Sequence, residues 1–312
     1  MLAVADAHLD IAWSSLKHGR DFVAGHPDSA LGLPDLLAGG VTLACATVFA
    51  SERGEEETAQ EVAQQQLAYY DALPGRSGGR VVWPADAMDV GMCRPGERLC
   101  LVGLLEGADA LEEPGDLETY YRRGIRVVGL TWNARNRWAS GCNAEGGLSA
   151  EGAALVREVD RRKMLHDVSH LSRQSVDDLL ATARGAVIAS HVGSDAVHAH
   201  KRNLTDAHLA EIAKRGGVVG LVLYGKFLAD ERATLDDALR HLMHMIEVCG
   251  PDAVGIGSDF DGGFGKDDLP AGIRTAADLP RIGEELEDRG VPPADVAKVL
   301  GGNLRRVLTA VM

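Results

Sequence analysis

The sequence predicts an α/β protein built as one (β/α)8 barrel, the TIM barrel, over residues 1–312. Three observations predict it. Eight short runs rich in Val, Ile and Leu recur along the chain, most without the polar alternation of a half-solvated sheet, as parallel strands covered on both faces require. Amphipathic stretches with helical spacing separate them, and repeated strand–helix alternation leads to a parallel sheet. The length of 312 residues suits one such barrel, which typically takes about 250 residues before insertions. An open doubly wound sheet is the structural alternative. No linker, low-complexity segment or repeat divides the chain.

The expected strands are LAVAD (2–6), VTLACATVF (41–49), LCLVGLLEG (99–107), IRVVGLT (125–131), MLHDVS (164–169), AVIASH (186–191), GVVGLVLY (217–224) and AVGIGSD (253–259). After the second, GEEETAQEVAQQQLAYYDAL (54–73) reads as a long polar-faced helix. The Gly- and Pro-rich stretch 74–98 reads as an irregular insert. Three later helices carry start and stop signals. The first has Ser172 as cap and Gly185 as stop. The second has Thr205 and Gly216, with Leu209 and Ile212 on its inner face. The third has Thr234, paired with Asp237, and Gly250. On this third helix Leu235, Leu239, Leu242, Ile246 and Cys249 form the inner face, which leaves His241 and His244 expected outside and solvated.

Composition narrows the function. The net charge of −14, from 32 basic and 46 acidic residues, argues against a phosphate-binding surface and hence against nucleic acid as a partner. No segment reaches the ~20 uninterrupted apolar residues of a membrane span. Asp6, His8 and Asp10 interrupt the N-terminal apolar run at once, so neither an anchor nor a signal peptide is expected. Five scattered cysteines without a C-x-x-C pair suggest reduced thiols and a cytoplasmic location. Cys45 and Cys249 read as small core residues.

In a barrel of this kind, the C-terminal ends of the strands converge on one face, where active sites sit. The first strand delivers His8 and Asp10, the third Glu106, the fifth His170, the sixth His191 and the eighth Asp259. Each ends an apolar run. Any one alone is more simply a hydrogen-bonded structural residue or a cap. Together they concentrate three imidazoles and three carboxylates on one rim, a costly arrangement unless cations neutralise it. Imidazole with carboxylate suits zinc. The count suggests two ions, one held by His8, Asp10 and Glu106, the other by Glu106, His170 and His191, with Glu106 bridging.

The strings DAHLD, LLEGAD, DVSHLS, SHVGSDAVHAHKRNLTD, GIGSDFDG and GGNLRRVL extend from residue 6 to about 308. They resemble the renal (membrane) dipeptidase family, peptidase family M19, within the metal-dependent amidohydrolase superfamily. The resemblance implies an amidohydrolase-like barrel that hydrolyses small dipeptides with two Zn2+ ions. It makes His8, Asp10, Glu106, His170 and His191 the metal ligands and Asp259 the proton-transfer residue. Arg202 in HKRN would hold the substrate carboxylate, with Tyr224 beside it. It is also compatible with a homodimer. At one position the chain departs from the family. Family members carry LTH at the end of the fourth strand, with the His on the substrate, whereas this chain has LTWNARNRWA. Trp132 then stands at a substrate-binding position, either as a packing residue or as a pocket wall, and Asn133 or Arg135 is left to supply a donor. Asp195 and Asp261 are candidates for an outer layer that orients the ligands, and His198 and His200, in the loop after the sixth strand, are candidates to reach the pocket. The leading reading is a binuclear zinc dipeptidase for L,L and L,D dipeptides. Related alternatives are an amidohydrolase acting on N-acyl amino acids or another small amide or lactone, and a non-catalytic metal-binding barrel.

Overall fold

Among the described residues, nine parallel strands make one sheet: β1 (Val4–Leu9), β2 (Val41–Phe49), β3 (Val81–Val82), β4 (Leu99–Glu106), β5 (Ile125–Gly129), β6 (Leu165–Asp167), β7 (Val187–Val192), β8 (Val218–Leu221) and β9 (Val254–Ile256). The computed structural model describes residues 2–51 and 57–312. The order runs β2-β1-β9-β8-β7-β6-β5-β4, and the β2–β4 pairing closes the ring into the expected eight-stranded barrel. β3 lies outside that ring. It pairs with Leu99 and Cys100 at the start of β4, before β5 takes over that edge at Gly103. The stretch expected to be irregular thus contains β3 and a short helix, Ala87–Met92, capped by Asp86.

Helices cover the barrel as the amphipathic patterns require. The helix Ala59–Arg76 starts at a capping box between Thr58 and Glu61. Of the helix expected over 54–73, residues 54–56 lie outside the described residues. Ser172, Thr205 and Thr234 each accept an amide hydrogen at their helix N-terminus, as expected.

The helix Leu235–Cys249 brings a correction. His241 is fully buried on the face shared by Ala238, Leu242 and Met245, not outside. Its Nδ1 accepts the Ser194 amide at 2.9 Å, and its Nε2 donates to the Leu228 carbonyl at 3.1 Å. Two loop groups without ladder partners therefore hold an imidazole that periodicity assigned to solvent. His244 sits half-covered against Asp206, 2.8 Å away.

Leu43, Cys45, Val102, Leu104, Val127, Leu165, Ile188 and Val218 form one apolar cluster, closed by Leu304 and Leu308 of the last helix. Residues from six different strands meet in this way only inside a barrel. Side chains on one face of a strand recur every second residue. Two positions beyond Cys45, Leu104, Leu165 and Ile188 come Thr47, Glu106, Asp167 and Ser190, all buried. The lumen changes from apolar to polar at that level, and the polar layer is the floor of the site.

Candidate active site

Two buried carboxylates end the ladders around the site. Asp6 Oδ1 accepts the amides of His8 at 3.1 Å and Ser258 at 3.0 Å. Asp167 Oδ1 accepts those of Ser169 at 3.0 Å and Ser190 at 2.9 Å. Each ties the end of one strand to its neighbour. Once a side chain captures those amides, the backbone is free to leave the sheet. This explains why β6 and β9 stop short of the runs 164–169 and 253–259. Just beyond, His170 and Asp259 take positive φ, 68° and 62°. For residues other than glycine this conformation costs about 1 kcal/mol or more and tends to occur at functional sites.

The six predicted residues converge. Glu106 lies at the centre: Oε1 is 2.9 Å from His170 Nε2 and 3.9 Å from His191 Nε2, and Oε2 is 3.4 Å from His8 Nε2. His8 Nε2 also lies 3.5 Å from Asp10 Oδ2 and 3.9 Å from Asp259 Oδ1. Three overlapping donor sets result: His8, Asp10 and Glu106; Glu106, His170 and His191; His8, His191 and Asp259. Each carboxylate oxygen of Glu106 faces a different set.

These donors suit divalent cations. His8 Nε2 is buried without a hydrogen-bond partner. The Nε2 atoms of His170 and His191 face each other at 2.8 Å, a contact natural for two ligands of one ion. Their other nitrogens are fixed from behind, as metal-ligating imidazoles require. His170 Nδ1 donates to Asn133 Oδ1 at 2.9 Å. His191 Nδ1 lies 2.8 Å from Ser190 Oγ, and His8 Nδ1 lies 3.3 Å from the same oxygen. The Ser190 hydroxyl in turn donates to Asp167 Oδ2 at 2.6 Å. Burial, then Arg202, pushes the His170 pKa down to about 3. Burial raises Asp259 well above its ordinary range, with Asp10 and Glu106 reinforcing and His8 opposing.

A cavity of about 360 Å³ opens over the cluster, lined in part by Asp10, Glu106, Asn133, His170, Asp259 and Tyr224. Trp132 forms part of its wall, its ring 5.3 Å from Phe49 and 5.8 Å from His170. Asn133 turns its Oδ1 to His170 and to the Cys142 thiol. Arg135 donates to Ser140 at 2.6 Å. Arg202 is buried, donates from one Nη to the His191 carbonyl at 3.2 Å, and leaves Nε without a partner. Two outer candidates serve the scaffold. Asp261 collects Ser14, Ser29, the Ala30 amide and Arg20, and Asp195 pairs with Arg173. His200 accepts the Arg202 amide and packs on Phe227, and His198 stacks on His200. Sequence reasoning missed Asp6, Asp167 and Ser190. Counting by twos from the apolar residues of β6 and β7 would have found the last two.

The sequence matches the family described as membrane dipeptidase, peptidase family M19, over residues 1–312. It is 36% identical over 262 residues to an uncharacterized protein in the pqqA 5′ region of Klebsiella pneumoniae, covering 80% of this chain and 95% of that one. It is 33% identical over 223 residues to dipeptidase verJ of Clonostachys rogersoniana, covering 70% of this chain and 56% of that one, so the match spans little more than half of that protein. Among solved structures, a metallopeptidase from Rhodobacter sphaeroides liganded with a phosphinate mimic of the dipeptide L-Ala-D-Ala superposes with a TM-score of 0.89 at 25% identity, covering 100% of this chain and 99% of that one. The dipeptidase AC of family M19 gives the same TM-score and identity, covering 99% of each chain.

Proposed function

Because the chain belongs to the membrane dipeptidase family, peptidase family M19, and is a metal-dependent hydrolase, we propose that it hydrolyses free L,L and L,D dipeptides with two zinc ions, as one catalytic domain over residues 1–312. The observation that carries this reading is the split role of Glu106, one oxygen toward His8 and the other toward His170 and His191. His8, Asp10 and Glu106 would hold one ion, and Glu106, His170 and His191 the other. Bound there, such a pair supplies Lewis acidity and water made acidic enough to attack at neutral pH.

The chain's own residues do the rest. Asp259, on its left-handed turn against the cavity, accepts the proton of the attacking water and passes it to the leaving amine, which must be protonated to depart. Arg202 forms a charge-assisted bond to the terminal carboxylate and fixes the register of a short substrate. Tyr224 borders that carboxylate. Trp132 excludes water from its side of the cavity, and Asn133 keeps His170 in the tautomer that presents Nε2. The likeness to an enzyme liganded with an L-Ala-D-Ala mimic supports including L,D substrates. The scattered thiols support a cytoplasmic location; among the described residues no helix is long and apolar enough to cross a membrane.

The test is hydrolysis of L,L and L,D dipeptides and N-acyl amino acids by zinc-loaded protein, with free amino acids quantified and His170→Ala as the blank. Metal content is measured alongside. Cleavage of dipeptides with two zinc ions per chain supports the reading. Cleavage of N-acyl amino acids alone, by protein that holds both ions, transfers it to the acylase alternative.

A further inference from the structure

Of the chain's four tryptophans, five tyrosines and five phenylalanines, six line the cavity above the ligand cluster. They form two walls. Trp13, Phe49 and Trp132 make one, joined edge to face with centroids 6.2 and 5.3 Å apart. Tyr224, Phe227 and Phe264 make the other, with centroids 4.8 and 4.3 Å apart. Trp132, Tyr224, Phe227 and Phe264 are only partly covered by protein, so each wall keeps apolar surface toward the cavity.

The walls differ in what lies beside them. Phe227 is 5.3 Å from the Arg202 guanidinium. Trp132 adjoins His170, and Trp13 follows Asp10 on the helix Ile11–His18. With its carboxylate at Arg202, a dipeptide would have its C-terminal side chain beside Phe227. Its peptide bond would then lie over the cluster, and its N-terminal side chain would extend toward Trp132 and Trp13. Resting on the dipeptidase reading, we propose that the two walls are side-chain subsites. The Tyr224, Phe227 and Phe264 wall takes the C-terminal residue, and the Trp13, Phe49 and Trp132 wall takes the N-terminal residue. The substrate class is dipeptides with an aromatic or large aliphatic residue at either end, because such side chains bury area against these rings that small or charged ones leave wet or desolvate at a loss.

The experiment measures kcat/KM of the zinc-loaded full chain for Ala-Ala, Phe-Ala, Ala-Phe, Asp-Ala and Ala-Asp. Phe-Ala and Ala-Phe are each expected about tenfold above Ala-Ala and above the aspartyl substrates. In Trp132→Ala the Phe-Ala to Ala-Ala ratio should fall toward one while the Ala-Phe to Ala-Ala ratio persists. Phe264→Ala should do the reverse. Should either variant fail to fold, the ranking by the unaltered protein still decides. Equal rates for Ala-Ala and both phenylalanyl substrates overturn the subsites and leave the dipeptidase reading standing. Loss of both ratios in both variants overturns the assignment of walls to ends. No cleavage of any dipeptide overturns the dipeptidase reading itself, and the subsites with it.

Discussion

Ser190 supports two imidazoles with one hydroxyl. Its proton goes to Asp167 at 2.6 Å, so its oxygen must accept from the rings, and His191 Nδ1 at 2.8 Å is the better placed. That fixes His191 as the tautomer whose Nε2 lone pair faces Glu106. Ser190→Ala should therefore weaken zinc binding about 10- to 100-fold, read by titration against a competing chelator, with the far-UV spectrum unchanged. Unaltered affinity would reduce Ser190 to packing. The role proposed for Asp259 is separable from that. Asn tolerates the left-handed backbone and removes one of the three carboxylates that converge with His8, His170 and His191. Asp259→Asn should thus lower kcat by about 10²- to 10⁴-fold while the melting temperature does not drop. A variant that melts earlier and still turns over would sink the proton-transfer role. The six residues that converge on the site were legible in the sequence because each ends an apolar run. Asp167 and Ser190 stayed hidden because they sit inside such runs, and only their lumen-facing parity distinguishes them. The clasp made by Asp6 depends on a partner 252 residues away, which no local pattern reveals.

Elements behaved as their periodicity predicted wherever the backbone alone satisfied its hydrogen bonds. The eight barrel strands and the capped helices were legible for that reason. β3 was not, since two residues paired to the start of β4 carry no pattern of their own. On the helix Leu235–Cys249 the apolar stripe was correct but too narrow, because loop groups of Ser194 and Leu228 recruit His241 inward. Burial holds the pKa of this ring down to about 4 against an ordinary 6.5, with the Leu228 carbonyl opposing and His198 and Arg240 assisting. A proton added at Nδ1 would meet the Ser194 amide. The folded value lies below the unfolded one, so this stabilisation is fully present above about pH 6.5 and fades as pH falls toward 4, on the order of 3 kcal/mol in all. Urea unfolding of the protein and of His241→Gln at pH 7.5, 6 and 5 checks it. The difference in stability between the two should shrink steadily as pH falls. A pH-independent difference would mean that His241 acts through packing alone.

At the scale of the whole molecule, the polar layer links the fold to its ligand. Asp10, Glu106 and Asp259 are all at least nine-tenths buried within one cluster, and their mutual repulsion weakens the barrel at the end where strands β6 and β9 already stop early. Cations that bind only the folded chain offset that repulsion and stabilise by mass action, about 2.7 kcal/mol at a free concentration 100 times Kd. With an unfolding entropy of about 2.1 cal/mol/K per residue, a chain of 312 residues should then melt about 4 °C higher for each such site. Chelator-treated protein is expected to melt several degrees below zinc-loaded protein, and added zinc should restore the difference in a concentration-dependent way. Glu106→Gln should abolish most of that response, because Glu106 faces both donor sets. Asp259→Asn should retain it. A melting temperature indifferent to zinc, or a response as large in Glu106→Gln as in the parent, would show that the two sets do not share Glu106 as a ligand, and the binuclear reading would fall with the bridge.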